Sequence, residues 1–375
     1  MNEREVSELR RRFRADKSNI TKICGCYVND KGEILTQFTT SMSLMLDDEK
    51  EKVLAVLKKS LSGGLGKNLV DISFPTKQVL EGEEHKLLTK LRDSKLEDQA
   101  AAEQFYEKVI PTIHMETNFM ILLAFDAYDV PYKGKDGNRF DDGSDQVFNY
   151  IVCSICPVKL SKSGLSFHAQ EQEFHNSKTE WMVSAPELGF LFPAFDDRST
   201  NLYGALAYTR NASDNHEEFS EAIFGAEPPM AAQEQKETFQ AILGTSLDTD
   251  CKLEVVQAVH AQLNDMIQEH KESRDKEPLY ISKPEVNAVL QSCGVPEERI
   301  KTFDEQFDAS FGEYADLSPK VLVDSRLQVT TPDVKIQVSA DKQDLVETRV
   351  LGGVKYILIR AEEGVEVNGV TVSIE

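Results

Sequence analysis

Asn118-Phe-Met-Ile-Leu-Leu-Ala-Phe-Asp-Ala-Tyr128 and Gln146-Val-Phe-Asn-Tyr-Ile-Val-Cys-Ser-Ile-Cys156 read as two buried strands. Each is an apolar run of strand length, rich in β-branched and aromatic residues. The stretch between them, Gly134 to Asp145, reads as a polar Gly/Asp loop. Leu165–Phe174, Leu188–Phe195 and Leu202–Arg210 continue the series, with Pro, Gly or Asp between them. Strands in direct succession favour an antiparallel meander over a doubly wound parallel sheet.

Upstream, Val6, Leu9 and Phe13 have helical spacing. Asn19–Val28 and Glu33–Thr40, parted by Asn29-Asp30-Lys31-Gly32, form a hairpin signal. Asp47 or Asp48 caps a helix whose stripe is Val53, Leu54, Val56, Leu57 and Leu61, ended by Gly63-Gly64. Leu87–Ile110 reads mainly helical and stops at Pro111, and Asp214–Phe224 reads helical to Gly225.

Downstream, Pro228-Pro229 is the linker candidate. Helices follow over Gln233–Leu243 to Gly244, over Lys252–His270, from Ser282 to Gly294, and from Pro296 through Ile300, Phe303, Phe307 and Phe311. Strands return at Val334–Val338, Lys355–Ile359 and Val365–Ile374, the last turning at Asn368-Gly369. The expectation is an α+β fold with an antiparallel sheet and flanking helices in domain 1–227. Domain 231–375 is helical and ends in a small β element.

The 375 residues carry a net charge of −22, with 40% hydrophobic and 28% charged residues. The longest apolar run, Phe119–Phe125, is far short of the ~20 residues a membrane span needs. The opening Asn2-Glu3-Arg4 has no apolar stretch behind it, which predicts no secretory leader and a cytoplasmic, membrane-free protein. Six cysteines are then expected as reduced thiols.

The acidic field repels nucleic acid at long range, but a local basic patch can still hold phosphates. Arg10, Arg11, Arg12, Arg14 and Lys17 are that candidate patch. The plainer alternative is a solvated face balanced by Glu3, Glu5 and Glu8. Metal candidates are Cys24 with Cys26 (alongside Cys153 and Cys156) and the acidic stretch holding Asp136, Asp141 and Asp142. In a strand, Cys24 and Cys26 share a face whereas Cys153 and Cys156 do not, so buried thiols are the simpler reading. The acidic stretch departs from a calcium loop: Phe140 takes a ligand position and Asp141 the turn glycine. Ser62-Gly-Gly-Leu-Gly-Lys-Asn68 fails as a phosphate loop, since Leu61 replaces the first Gly and Asn68 the hydroxyl residue. His168, Glu171, Glu173 and His175 read as an edge-strand cluster, and Phe190, Phe192 and Phe195, downstream of Trp181, as core. No cofactor is expected and no catalytic set stands out.

The opening run through Asn19-Ile-Thr-Lys-Ile-Cys-Gly-Cys-Tyr-Val28, with Gly66-Lys67-Asn68-Leu69 and Trp181-Met-Val-Ser-Ala-Pro-Glu-Leu-Gly-Phe190, resembles a family of uncharacterised proteins from Clostridia-type bacteria. That family is catalogued as a domain of unknown function, so the resemblance implies no activity. The layout is also similar to bacterial nucleoid-associated proteins: early strands, a helix end at Phe239-Gln-Ala-Ile-Leu-Gly244, and Val334–Val338 with Lys355–Ile359 as a closing pair. This similarity implies a link to nucleic acid or nucleoid proteins. The expected function is therefore a binding protein of that kind. The alternatives are an acidic interaction or scaffold protein, with homo-oligomers possible, and a metal-dependent enzyme.

Overall fold

The computed structural model describes residues 1–133, 139–161, 164–168, 170, 172–177, 179–226, 228–273, 279–313, 315, 317–324, 326–361, 364–367 and 370–372. They fall into two compact units, Met1–Ala231 and Ala232–Glu375.

The first unit is built on one antiparallel sheet. Its strands in chain order are β1 (Lys22–Val28), β2 (Ile34–Ser41), β3 (Leu69–Ser73), β4 (Phe119–Lys133), β5 (Arg139–Leu160), β6 (Gly164–His168) and β7 (Glu173–Ser177). They continue with β8 (Trp181–Val183), β9 (Leu188–Phe192), β10 (Ala194–Asp196), β11 (Ser199–Asn201) and β12 (Gly204–Thr209). The main sheet runs β2-β1-β4-β5-β9-β12-β3, and β8 pairs with the end of β5. Among the described residues its α-helices are α1 (Glu3–Arg10), α2 (Asp47–Lys59), α3 (Thr76–Glu81), α4 (Glu83–Asp93), α5 (Gln99–Val109) and α6 (Glu217–Phe224).

The central strands read as unbroken apolar runs because helices cover both faces of the sheet. Ile121 and Leu123 of β4 and Cys153 and Ile155 of β5 face a core completed by α4, α5 and α6. Leu122, Ala124, Tyr150 and Val152 alternate onto the other face, against Val6 and Leu9 of α1 and Leu54 and Leu57 of α2. Gly25 on β1 lies opposite Phe38 on β2, and a β-carbon there would fall inside the Phe38 ring contacts.

Several boundaries differ from the sequence expectation. The β4–β5 ribbon runs on past Tyr128, with Lys133 opposite Arg139, so part of the polar stretch is strand. A backbone ladder needs no apolar side chains, so a polar run can still pair as strand. Leu165–Phe174 is not one strand, because β6 and β7 form a hairpin that sets His168 opposite Glu173. Leu87–Ile110 breaks into α4 and α5 at Lys95 and Leu96, both left-handed with φ of 52° and 58°. Helix α2 starts one residue early: its N-cap is Leu46, whose N–H donates to Glu49, while Asp47 and Asp48 lie in the first turn.

The second unit contains α7 (Ala232–Leu247), α8 (Leu253–Ser273), α9 (Lys283–Ser292), α10 (Glu297–Phe311) and α11 (Pro319–Leu322). Their core includes Phe239, Leu247, Leu263, Leu290, Phe303 and Phe307. Ser282 forms a capping box with Glu285 at the start of α9, as its Ser-x-Pro-Glu pattern directs. Gly244 lies inside α7 and does not end it, since Leu243 and Leu247 on either side are held in the core. The chain then forms three two-stranded hairpins: β13 (Arg326–Thr330) with β14 (Lys335–Ser339), β15 (Val346–Leu351) with β16 (Val354–Ile359), and β17 (Val365–Val367) with β18 (Val370–Val372). Val334–Val338 and Lys355–Ile359 therefore pair with other segments and not with each other.

Candidate functional site

The basic segment at the end of α1 does not form one exposed face. Arg10 donates to the carbonyls of Leu61 and Gly63, the latter at 2.8 Å, and so clamps the turn after α2. Burial against that turn lowers the Arg10 pKa. Arg12 turns inward: its Nε lies 3.5 Å from Asp126 Oδ2, and its guanidinium sits 4.9 Å over the Tyr128 ring. Arg11, Arg14 and Lys17 are exposed, Arg11 reaching Ser7 and Arg14 pairing with Asp16 at 3.0 Å. Arg4, Arg10 and Arg11 line a cleft of about 700 Å³ between α1 and Gly63-Gly64-Leu65, which Glu3 and Glu8 also border.

Beneath α1 a polar network crosses to the sheet. Asp126 is buried and accepts from the Tyr150 hydroxyl at 2.8 Å and from the Asn19 N–H at 2.9 Å. Glu8 accepts from the Tyr128 hydroxyl at 2.6 Å and from Arg198, whose Nη2 lies 2.8 Å away. Burial first, then the bond to Glu8, pushes Tyr128 up to about 12, so this phenol stays a donor. Arg198 also donates to the Pro131 carbonyl at 3.0 Å. The network fastens α1 and the β10–β11 turn to the β4–β5 ribbon, and each carboxylate in it is committed to internal partners.

Cys24 and Cys26 project into the same core as Cys153, while Cys156 faces the opposite one, the placement that strand alternation predicts. Cys24 and Cys153 are each opposite Leu123, on either side of β4, so that strand separates them. Burial raises the Cys26 thiol to about 11 and Cys156 to about 12, where the thiolate that binds metal or attacks carbon is scarce. Among the described residues no three His, Cys, Asp or Glu side chains converge as a metal cage. Asp136 lies outside the described residues, as do the side chains of Asp141 and Asp142 and those of His168, Glu171 and His175.

One surface that spacing alone misses is apolar. Phe190, Phe192 and Phe195 are core, as expected. Trp181, however, is 57% exposed, together with Met182 and Val183 on β8 and its partner Leu160 on β5. On the β6–β7 hairpin the Phe167 and Phe174 rings meet at a tilt, their centroids 5.1 Å apart, yet remain 56% and 68% exposed, with Leu165 of the same hairpin also exposed. The alternation Leu165-Ser-Phe167 is the signal for a buried face, but no helix or strand covers it among the described residues.

Fold and surfaces together define an α+β protein with an antiparallel sheet covered on both faces and exposed apolar side chains on β6, β7 and β8. The chain belongs to the family described as "Domain of unknown function (DUF4317)", which it matches over residues 1–370. No curated protein and no solved structure matches it. Among the described residues no helix is long and apolar enough to cross a membrane.

Proposed function

We propose that this protein acts by binding another protein, with the arm of residues 158–183 as its contact surface. The observation that carries this reading is the exposed group Leu160, Leu165, Phe167, Phe174, Trp181 and Met182, gathered within one short excursion of the chain. Grouped apolar side chains of this kind mark interaction sites, and aromatic anchors, Trp above all, supply most of the binding energy. Six free thiols, four of them buried, support a reducing, cytoplasmic setting. Trp181 is the chain's single tryptophan, so its fluorescence reads the arm directly. Partners captured from a lysate of the native source should shift its emission to the blue. A Phe167→Ser/Phe174→Ser variant should no longer capture them. Unchanged capture by that variant defeats the reading.

A second reading is favoured by the cleft that Arg4, Arg10 and Arg11 line. There Arg11, with exposed Arg14 and Lys17, would contact phosphates of a nucleic acid, giving a nucleoid-linked role. Such binding weakens steeply as salt rises. Filter binding of wild type against Arg11→Ala/Arg14→Ala across a salt series tests it, and no retention at low salt ends it.

A further inference from the structure

The turn after α2 engages its carbonyls and leaves its amides open. The carbonyls of Leu61 and Gly63 accept from Arg10. That of Gly64 accepts from the N–H groups of Lys67, Asn68 and Leu69 at 3.2, 3.0 and 3.1 Å. The successive N–H groups of Gly63, Gly64 and Leu65 meet no acceptor among the described residues. All three residues line the cleft of about 700 Å³ beside α1. The segment lacks the frame of a nucleotide-binding phosphate loop, but successive amides held in a turn make anion-binding concavities without that frame.

The glycines divide into one the fold needs and one it does not. Gly63 has φ of 87°, and a β-carbon there would fall 2.4 Å from Asn68. Gly64 has no left-handed φ, and its β-carbon would meet nothing within 4 Å. A glycine without a packing or conformational role leaves room for a ligand to approach the backbone. The charges at the cleft agree. Glu8 is matched by Arg198, which leaves the guanidiniums of Arg4, Arg10 and Arg11 against Glu3. Resting on the reading of this cleft as a phosphate site, we propose that it binds the terminal phosphate of a small molecule. The amides of Gly63, Gly64 and Leu65 hold it with Arg4 and Arg11, while Arg10 fixes the turn. A terminal phosphate is close to a dianion and offers three unesterified oxygens, enough to engage amides and guanidiniums together. A nucleic-acid phosphate has fewer free oxygens, and its chain continues on both sides into the field of a protein of charge −22. The cleft also has the volume of a small-molecule site, about 300–1,000 Å³.

The test is calorimetric titration of the full chain with inorganic pyrophosphate, then with a single-stranded oligonucleotide whose ends carry hydroxyls. Pyrophosphate should bind once per chain, and the oligonucleotide should not displace it. Gly64→Leu fills the cleft where the fold has space, and Arg4→Gln/Arg11→Gln removes charge from exposed side chains. Each should weaken pyrophosphate binding by about tenfold or more, the loss expected for hydrogen bonds to a charged group, at an unchanged melting temperature. If Gly64→Leu alters the melting temperature, the arginine variant decides. No pyrophosphate binding, or full binding in the variants, overturns the site. Displacement by the oligonucleotide overturns the small-ligand assignment and favours the nucleic-acid reading. Oligonucleotide binding without pyrophosphate binding defeats this inference alone.

Discussion

Asp126 is the carboxylate on which the network beneath α1 turns. It is 1% exposed and serves the Tyr150 hydroxyl, the Asn19 amide and the Arg12 guanidinium. Asp126→Ala leaves two donors and a largely buried cation without a partner. Removing one member of such a pair costs about 3–5 kcal/mol, and urea unfolding should show a loss of that size. Asp126→Asn keeps an acceptor and should lose less; a loss near zero for Ala would mean the network holds nothing together. His216 carries a pH dependence. It opens α6 in a left-handed conformation with φ of 48°, and burial lowers its pKa below 6.5 against the opposing pull of Asp214 and Glu187. The unfolded chain therefore takes up this proton first. Its contribution to stability is complete above 6.5 and falls as pH drops through that value. His216→Asn tolerates the same backbone without the proton, so its melting temperature should fall less than that of wild type over this range.

The β1–β2 hairpin depends on a glycine. Phe38 folds across Gly25, filling the space a side chain would take and joining the core under α1 and α2. Gly25→Ala should displace that ring and destabilise by roughly 1–3 kcal/mol, the usual range for an overpacked core. Hydrogen exchange should show the loss first in β2, and uniform acceleration across the sheet would contradict the local cause. This hairpin was legible in the sequence because its turn and its alternating residues agree. So were the centres of β4 and β5, whose apolar runs admit little else. The break between α4 and α5 was not, since Lys95 and Leu96 adopt left-handed backbone without the Gly or Asn that announces it. Nor was the β6–β7 hairpin, because the sequence Ala169-Gln-Glu-Gln172 between its strands holds neither Gly nor Pro. Glu8, Arg12, Asp126, Tyr150 and Arg198 are scattered over 190 positions, and only the folded topology brings such residues together. The arm misled in the other direction, because its strand alternation promises a buried face that the structure leaves open.

Each of the two units has its own apolar interior: two cores on either side of the sheet before Ala231, and one helical core after it. A segment with its own core can fold alone. Fragments 1–231 and 232–375 should therefore each unfold cooperatively, and their summed far-ultraviolet spectra should reproduce that of the full chain. A fragment that stays unfolded would show that its core is incomplete. Within the second fragment stability should be graded. Helices α7 to α10 supply most of the buried core residues, whereas an isolated two-stranded hairpin is marginal in water. The first two hairpins keep one anchor each, buried Leu327 and Val346, and Gln257 of α8 donates to the carbonyls of Gln343 and Val346 at 3.0 Å. The described residues of β17 and β18 include no buried side chain. Exchange should thus be slowest in α7 and α10, intermediate in β13 to β16 and fastest in β17–β18. Protection of β17–β18 equal to that of α10 would mean that this hairpin is held by contacts the fold of one chain does not provide, and a further partner surface would have to be sought there.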